Sequence, residues 1–179
     1  ADDDKFMCTE AIEFLIQKTK DPRCMLQLGS EYYDWKDFHL ALKYYQMASE
    51  HGCDEADVCL GYIWYYGRTG RKDYEKAFYY YSRAAEKGDL QSSYKVADMY
   101  RNGYYVAKDP DQYKKIIEEL YERVKDARSL GDPLPEIFTR LARIRAEEGN
   151  TEEAVRLYTQ ARWFLEQRIS VHPFFGDLS

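Results

Sequence analysis

The sequence predicts an all-α fold, a right-handed α-α superhelix of about four stacked helix pairs preceded by one further helix. Apolar residues recur at helical spacing along most of the chain. Glycine and proline interrupt that spacing at intervals that suit short helices. The stretch 56–88, ADVCLGYIWYYGRTGRKDYEKAFYYYSRAAEKG, also has partial copies on both sides of it. Self-similarity of this period is typical of proteins that stack helix pairs.

Length and composition are those of one globular domain without a nucleic-acid footprint. The 179 residues can bury a core, and 45% of them are hydrophobic against 32% charged. With 18 tyrosines among its bulky residues, the chain is not expected to be disordered. The net charge of -6 and the lack of a lysine and arginine run argue against nucleic-acid binding, including RNA reading by helical repeats.

The cysteines and histidines predict neither a metal site nor a cofactor site. The four cysteines stand at positions 8, 24, 53 and 59 with no C-x-x-C pair, and the three histidines are scattered. A zinc site needs clustered sulfur and nitrogen ligands.

No apolar run approaches the length of about 20 residues that crosses a bilayer, and no signal peptide is visible. Because free thiols suit a reducing compartment, we expect a cytoplasmic protein without membrane contact.

The N-terminal part is predicted to contain one helix and then the first helix pair. Residues 1–20 form an N-terminal segment and capping helix, since EAIEFLIQK at 10–18 has helical apolar spacing. The repeat region is predicted to span residues 21–170. Its first pair runs from Asp21 to about residue 52, and Asp21-Pro22 suits a helix start. The first helix carries Gly29, and the second carries Ala41, Tyr44, Tyr45 and Ala48.

The second pair, residues 56–88, is the most complete copy. Ala77 follows Ala41 at 36 residues, whereas Gly61 follows Gly29 at only 32. The difference lies in the connecting loop at 68–73, and loops absorb such insertions cheaply. The small residues are predicted to let helix backbones come close, with aromatic side chains filling the space between layers. Those side chains are Tyr45, Trp64, Tyr81, Tyr100 and Tyr158.

The third pair, from residue 90 to about 125, departs from the pattern in its second helix. Its first helix keeps the spacing, since Ala97 stands 36 residues after Gly61. In the second helix Tyr113 replaces a small residue, and the apolar spacing predicts a helix that continues to Gly131. A longer, altered helix of this kind indicates a break in the regular stacking.

The fourth pair follows a boundary at residues 131–133, GDP. Thr151, followed by two glutamates, is predicted to cap its second helix, which continues to about Ile169. Residues 171–179 form an apolar tail that docks onto the last helix, continues into a longer protein or contacts a second copy. The positions that fall at the interval of a repeat of about 34 residues are Phe138, Leu141, Ala142, Gly149, Ala154, Tyr158 and Ala161.

The stretch 56–88 resembles a Sel-one-like repeat, the close relative of the tetratricopeptide repeat. The first pair resembles a hybrid of the two types, the third degenerates after Asp109, and the fourth resembles a tetratricopeptide repeat. The resemblance implies an α-solenoid that acts as an interaction scaffold, often in bacteria. Some secreted relatives staple each repeat with a disulfide, but the cysteines here do not recur at repeat spacing. The matching positions are Ala56, Leu60, Gly61, Gly67, Asp73, Lys76, Ala77, Tyr80, Tyr81, Ala84, Ala85 and Gly88.

In such a solenoid the first helix of each pair lines a concave groove. Positions counted from the glycine of each first helix give the side chains that face it. Tyrosine and arginine commonly anchor binding hot spots, because they offer a large contact area with a polar end. The alternative is that the tyrosines pack against the neighbouring repeat with their hydroxyls in water. The predicted partner-binding groove consists of Tyr33, Tyr62, Tyr65, Tyr94, Asp98, Arg101 and Arg143.

The predicted function is a scaffold or adaptor that binds a peptide or protein segment in this groove. The alternative is a regulatory or targeting repeat domain of a larger bacterial protein whose other part does chemistry. Catalysis by this chain is not expected, since Cys53 and Cys59 have His51 nearby but no third partner in sequence. Association of copies through the solenoid ends is also open, because end repeats need a polar cap to stay apart.

Overall fold

The computed structural model describes residues 2–126 and 134–171, and every regular element within those ranges is an α-helix. The all-α prediction is therefore confirmed, and each predicted pair corresponds to two successive helices from α2 onward. The predicted tail beyond Val171 lies outside the described residues. The helices are α1 (Asp2–Thr19), α2 (Pro22–Asp34), α3 (Phe38–Glu50), α4 (Asp54–Tyr66), α5 (Tyr74–Glu86), α6 (Leu90–Asn102), α7 (Pro110–Val124), α8 (Leu134–Glu147) and α9 (Thr151–Val171).

The helices form two compact units, Ala1–Ser92 and Ser93–Ser179. In unit one, each helix from α1 to α4 packs against the next along the chain. In unit two, α7 packs against α8 and α8 packs against α9. Each unit therefore buries its apolar faces between sequence neighbours, as expected when helix pairs stack.

Aspartate side chains start five of the described helices. The Asp21 carboxylate accepts a hydrogen bond from the backbone N–H of Arg23 at 2.9 Å. The corresponding distances to the third residue after the cap are 3.1 Å at α3, 3.0 Å at α5 and 2.9 Å at α7. Such caps satisfy N–H groups that have no partner within the helix. At α6 the carboxylate of Asp89 accepts the N–H of Ser92 in the same way. The capping residues are Asp21, Asp37, Asp73, Asp89 and Asp109.

Two predicted helix boundaries are wrong. Asn150 rather than Thr151 caps α9, because its side-chain oxygen accepts the N–H of Glu153 at 3.2 Å and its amide donates back to Glu153 at 2.9 Å. The helix predicted to reach Gly131 instead ends at Val124. Val124 is the last buried residue of α7, and the two residues after it are exposed, so packing no longer supports the helix there.

Glycine allows a tyrosine ring to lie directly on a helix backbone in both pairs of unit one. A Cβ added at Gly29 would lie 2.6 Å from Tyr45 Cδ1, and one added at Gly61 would lie 2.5 Å from Tyr81 Cδ1. Both rings are buried, with 4% and 0% of their surface exposed. The predicted close approach is confirmed at these two places. It fixes the spacing between the two helices of each pair.

The other predicted gap-filling aromatics differ in burial. Trp64 and Tyr100 are half-buried. Tyr158 is 42% exposed, so the prediction that it fills a gap between layers is wrong. It lies on α9, the last described helix of unit two, where no later described helix covers that face.

A buried carboxylate joins three helices of unit one. Asp57 on α4 is only 1% exposed, and it accepts a hydrogen bond from Ser49 Oγ on α3 at 2.7 Å. Arg83 on α5 forms an ion pair with it at 3.1 Å. Burial raises the pKa of the Asp57 carboxyl, although the hydrogen bond from Ser49 and the charge of Arg83 oppose that rise. Burial of the Asp57 charge costs stability, and the ion pair with Arg83 offsets part of that cost.

Candidate functional site

Unit one contains an apolar pocket between its first helices. The cavity has a volume of about 300 Å³, at the lower end of the range of roughly 300–1,000 Å³ that ligand sites occupy. That size suits one large side chain of a partner better than an extended small molecule. The lining residues come from α2, α3, α4 and the first turn of α6, and they are Tyr33, Tyr45, Val58, Cys59, Tyr62 and Gln91.

Four aromatic rings form a cluster at this pocket, which we call the aromatic cluster: Tyr33, Phe38, Tyr62 and Tyr66. The Tyr33 ring lies 5.1 Å from Phe38 and 6.1 Å from Tyr62, in both cases edge to face. Tyr62 and Tyr66 lie 4.4 Å apart, because positions four residues apart share one face of α4. Three different helices hold these rings, so their arrangement does not depend on a loop.

A cation already lies over the aromatic cluster. Arg68 donates a hydrogen bond from Nη2 to the Tyr62 hydroxyl at 2.9 Å. Its guanidinium carbon is 5.3 Å from the ring centre of Tyr62, 5.7 Å from that of Tyr66 and 5.9 Å from that of Phe38. Gly67 makes this turn with φ of 67°, and a Cβ there would lie 2.7 Å from the nitrogen of Lys72. The glycine therefore directs the loop so that Arg68 faces the rings.

Two of the lining residues, Tyr45 and Cys59, bring polar groups to the pocket that stay uncharged near neutral pH. The Tyr45 hydroxyl donates a hydrogen bond to Ser30 Oγ at 3.3 Å, and burial raises the pKa of its phenol above the usual range. Burial likewise raises the pKa of the Cys59 thiol to about 11. A thiol held protonated at pH 7 is a poor nucleophile. The pocket thus has the chemistry of a binding surface and lacks an activated cysteine.

The structure brings together two of the predicted groove residues, Tyr33 and Tyr62, at the mouth of this pocket. Tyr65 is next to the aromatic cluster, since its ring centre lies 5.0 Å from that of Tyr66, but the ring also contacts Tyr74 at 5.7 Å and Tyr81 at 6.2 Å. Tyr65 therefore packs between α4 and α5 and does not line the pocket. Its predicted role in binding a partner stays a prediction.

In unit two the predicted groove residues make contacts within the chain. Tyr94 is 7% exposed beneath the Arg140 guanidinium, whose carbon is 4.2 Å from the ring centre. Asp98 pairs with the same arginine, with Nε donating at 2.9 Å. Arg101 pairs with Glu147 at 3.5 Å beside a polar cavity of about 610 Å³. Each of these three side chains therefore has a partner within the chain. Their predicted roles in binding a partner protein stay predictions.

Arg143, the last predicted groove residue, is half-buried on α8. At the outer helices, apolar side chains are exposed: on α1 Phe14 is 59% and Leu15 46% exposed, and on α9 Trp163 is 52% exposed. These are the surfaces through which copies would associate. Association through the solenoid ends stays a prediction.

Four residues were not identified from the sequence: Cys59 and Gln91, which line the pocket, and Phe38 and Arg68, which belong to the aromatic cluster and its cation. Phe38 is the first residue of α3, and Arg68 stands in the loop that is four residues longer than its counterpart. The spacing of Tyr62 and Tyr66 on one helix face was a usable signal for the cluster. Nothing in the repeat pattern indicates Arg68, because the first pair has no corresponding position.

Two classes of site are absent from the part of the chain that the structure describes. No group of three or more histidine, cysteine or acidic residues there is arranged to hold a metal ion. None of the described helices has the length and hydropathy to cross a membrane. Cys24, Cys53 and Cys59 are free thiols.

Comparison with curated proteins identifies relatives with which the chain shares a segment. It is 38% identical over 101 residues to protein sel-1 homolog 2 of Mus musculus, and 34% identical over 101 residues to the protein of that name in Rattus norvegicus. Each match covers 56% of this chain but 14% of the relative. The chain therefore spans a small part of the length of these two proteins.

Solved structures share the fold over most of the chain. A Sel1 repeat protein from Oxalobacter formigenes superposes with a TM-score of 0.70 at 25% identity, covering 86% of this chain and 60% of that one. The protective antigen c5321 of uropathogenic Escherichia coli, described as displaying an SLR fold, superposes with a TM-score of 0.67 at 25% identity. That match covers 82% of this chain and 31% of the antigen.

The Sel1 repeat family model matches four segments that together make up more than half of the chain: residues 22–53, 60–89, 90–112 and 145–162. The third match ends at residue 112, one residue before Tyr113 replaces the small residue of the second helix. The first match covers α2 and α3, the second part of α4 and all of α5, the third α6 and the start of α7, and the fourth the end of α8 and the first half of α9. The chain belongs to the Sel1 repeat family.

Proposed function

We propose that this chain is a protein-interaction module that binds a peptide segment of a partner through the aromatic pocket of unit one. Sel1 repeat proteins generally mediate protein–protein interactions. The observation that carries the proposal to this place is the cavity of about 300 Å³ whose mouth is lined by Tyr33 and Tyr62. Partly buried tyrosines around a pocket are the usual anchors of a binding hot spot.

The pocket supports this proposal over the alternative in which the tyrosines only pack together. Rings that serve packing alone leave little empty space, since protein interiors are close-packed. Tyr81 is such a ring, because it is fully buried against Gly61. Tyr62 differs, since it is half-buried and borders the cavity. A partner side chain in this space would bury apolar surface that the free chain leaves open.

The proposal applies equally to a free adaptor and to a regulatory or targeting part of a longer protein, since the pocket lies within unit one. A cytoplasmic location belongs to the proposal as well. The three free thiols at Cys24, Cys53 and Cys59 support it, because cysteines stay reduced in that compartment.

Selection from a random peptide phage library on the immobilised chain tests the proposal. Binding of the selected peptides is then measured for the Tyr62→Ala and Tyr158→Ala variants, with circular dichroism as the check on folding. Tyr158 is the matched control, since it is 42% exposed on α9 in unit two. We expect Tyr62→Ala to weaken binding about thirtyfold, the loss typical of a hot-spot residue, and Tyr158→Ala to leave it unchanged. Peptides that bind both variants as they bind the unchanged chain would place the site elsewhere.

A further inference from the structure

We propose that the aromatic cluster accepts an arginine side chain of the partner peptide, and that Arg68 is the intramolecular competitor which this arginine displaces. The inference rests on the proposed function and adds the chemistry of the anchoring side chain. It follows from what the chain itself places over the cluster.

The cluster already has the geometry that binds a guanidinium. Three ring centres lie within 5.9 Å of the Arg68 guanidinium carbon, which is inside the distance of about 6 Å at which a cation is attracted to a ring face. The hydroxyl of Tyr62 adds a hydrogen bond at 2.9 Å. Since a guanidinium from the same chain satisfies these contacts, one from a partner satisfies them equally.

The rings are fixed whereas the cation is not. Phe38, Tyr62 and Tyr66 lie on helices, and the neighbouring Tyr33 ring supports them from α2. Arg68, in contrast, is exposed and stands in a loop outside the helices. An exposed cation–ring contact contributes little free energy. Arg68 is therefore held weakly enough for a partner to replace it.

Arginine fits this site better than lysine or a neutral side chain. Its planar guanidinium stacks on aromatic faces and keeps several donors free in its plane, while a lysine ammonium offers one hydrated point charge. The electrostatic setting also favours a cation. The chain has a net charge of -6, and the Asp34 carboxylate is near enough to the Tyr45 phenol to contribute to the rise in its pKa.

Competition within the chain has a measurable consequence. A ligand that binds only when Arg68 has left the cluster shows an apparent affinity reduced by the fraction of time for which the cluster is open. Contacts of this strength keep the cluster closed for all but about a tenth of the time. Removing Arg68 is therefore expected to tighten arginine binding about tenfold, although the substitution deletes a surface charge and a hydrogen bond.

The test titrates N-acetyl-arginine amide and its neutral isostere N-acetyl-citrulline amide into the full chain, observed by NMR on the tyrosine ring signals. The proteins are the unchanged chain, Arg68→Ala, Arg71→Ala, and Arg68→Ala combined with Tyr62→Leu. Arg71 is the matched control, since it is an exposed arginine of the same loop. We expect Arg68→Ala to bind the arginine amide about tenfold more tightly than the unchanged chain. Arg71→Ala should bind like the unchanged chain, the added Tyr62→Leu should abolish the gain, and citrulline should gain nothing.

Several results would overturn the inference. They are equal gains for citrulline and arginine amides, equal gains from Arg71→Ala and Arg68→Ala, or no saturable binding of the arginine amide to Arg68→Ala. Each leaves the proposed function standing if the selected peptides still require Tyr62. Failure of the proposed function is recognised separately, as selected peptides whose binding is insensitive to Tyr62→Ala.

Discussion

Replacing Gly61 by alanine tests whether the contact between a tyrosine ring and a helix backbone sets the spacing of a helix pair. The added Cβ would lie 2.5 Å from Cδ1 of Tyr81 and 2.6 Å from Cε1. Side-chain carbons do not approach this closely, so something must shift. Tyr81 is fully buried, and its ring cannot turn away without displacing other core side chains.

The net effect is the difference between two opposing contributions. Overpacking a core costs about 1–3 kcal/mol, and a fully buried ring in such close contact belongs near the upper value. Alanine in a helix interior stabilises the helix by about 1 kcal/mol relative to glycine. Gly61→Ala should therefore lower the free energy of unfolding by about 2 kcal/mol. In a Tyr81→Ile background the obstructing ring is absent, so the same substitution should raise it by about 1 kcal/mol.

Isoleucine is the chosen replacement because the third pair already combines the two substitutions. Ala97 stands 36 residues after Gly61, Ile117 stands 36 residues after Tyr81, and both are fully buried. Urea unfolding of the four proteins, followed by far-ultraviolet circular dichroism, gives a coupling energy expected to be about 3 kcal/mol. If Gly61→Ala stabilised the unchanged chain, or had the same effect in both backgrounds, the ring would not be the obstacle.

Three further predictions follow from the charges and thiols. Arg83→Met should destabilise unit one more at pH 7 than at pH 4, measured as thermal midpoints. The pKa of the Asp57 carboxyl is raised in the folded state, so the contribution of this carboxyl to stability falls as pH rises above about 3.9. Loss of the Arg83 charge, which opposes the rise in pKa, makes that fall steeper. Equal shifts of the thermal midpoint at both pH values would contradict this. Cys59, with a pKa of about 11, should react with iodoacetamide at pH 7.5 about a hundredfold more slowly than N-acetylcysteine, as followed by mass spectrometry, and its rate should still be rising at pH 10. Asp98→Ala should lower the free energy of unfolding, measured in urea, by about 3 kcal/mol. The substitution leaves the Arg140 side chain, which is only 18% exposed, without its carboxylate partner. An unchanged urea midpoint would show that this ion pair does not stabilise the fold.

Helix starts were predictable wherever the signal is local. Asp21 with Pro22 marks the start of α2 in the sequence, and the carboxylate of Asp21 caps that helix in the structure. Asp109 repeats Asp73 at 36 residues and caps α7 in the same way. A cap involves residues no more than three apart, so the sequence contains all of the participants.

Features that depend on distant packing were not predictable. The apolar spacing after Val124 looked helical, but the helix ends where its buried face ends. Tyr158 occupies a repeat position that is buried in complete copies, yet it is exposed because no described helix follows α9. In both cases the outcome is decided by packing among the described helices, which the local pattern does not contain.

The candidate site divides along the same line. Repeat register gives the direction in which a helix position faces, and it placed Tyr33 and Tyr62 on the surface that contains the pocket. Repeat register does not predict which neighbouring side chains a tyrosine ring will contact. Tyr65 shares the expected direction but packs with Tyr74 and Tyr81 on its own helix pair.

Arg68 lies outside the recurring positions, in the loop between α4 and α5. The positions that recur, such as Gly61 and Tyr81, are constrained by the contact between paired helices, so they cannot vary with the partner. The loop between α4 and α5 carries no such constraint, and lengthening it costs little. Four additional residues there supply a cation that the first pair lacks, and they set it over rings fixed by three helices. In the proposed arginine site, the framework provides a rigid aromatic surface, and the irregular loop provides the competing cation that lowers the affinity of that surface for a partner's arginine.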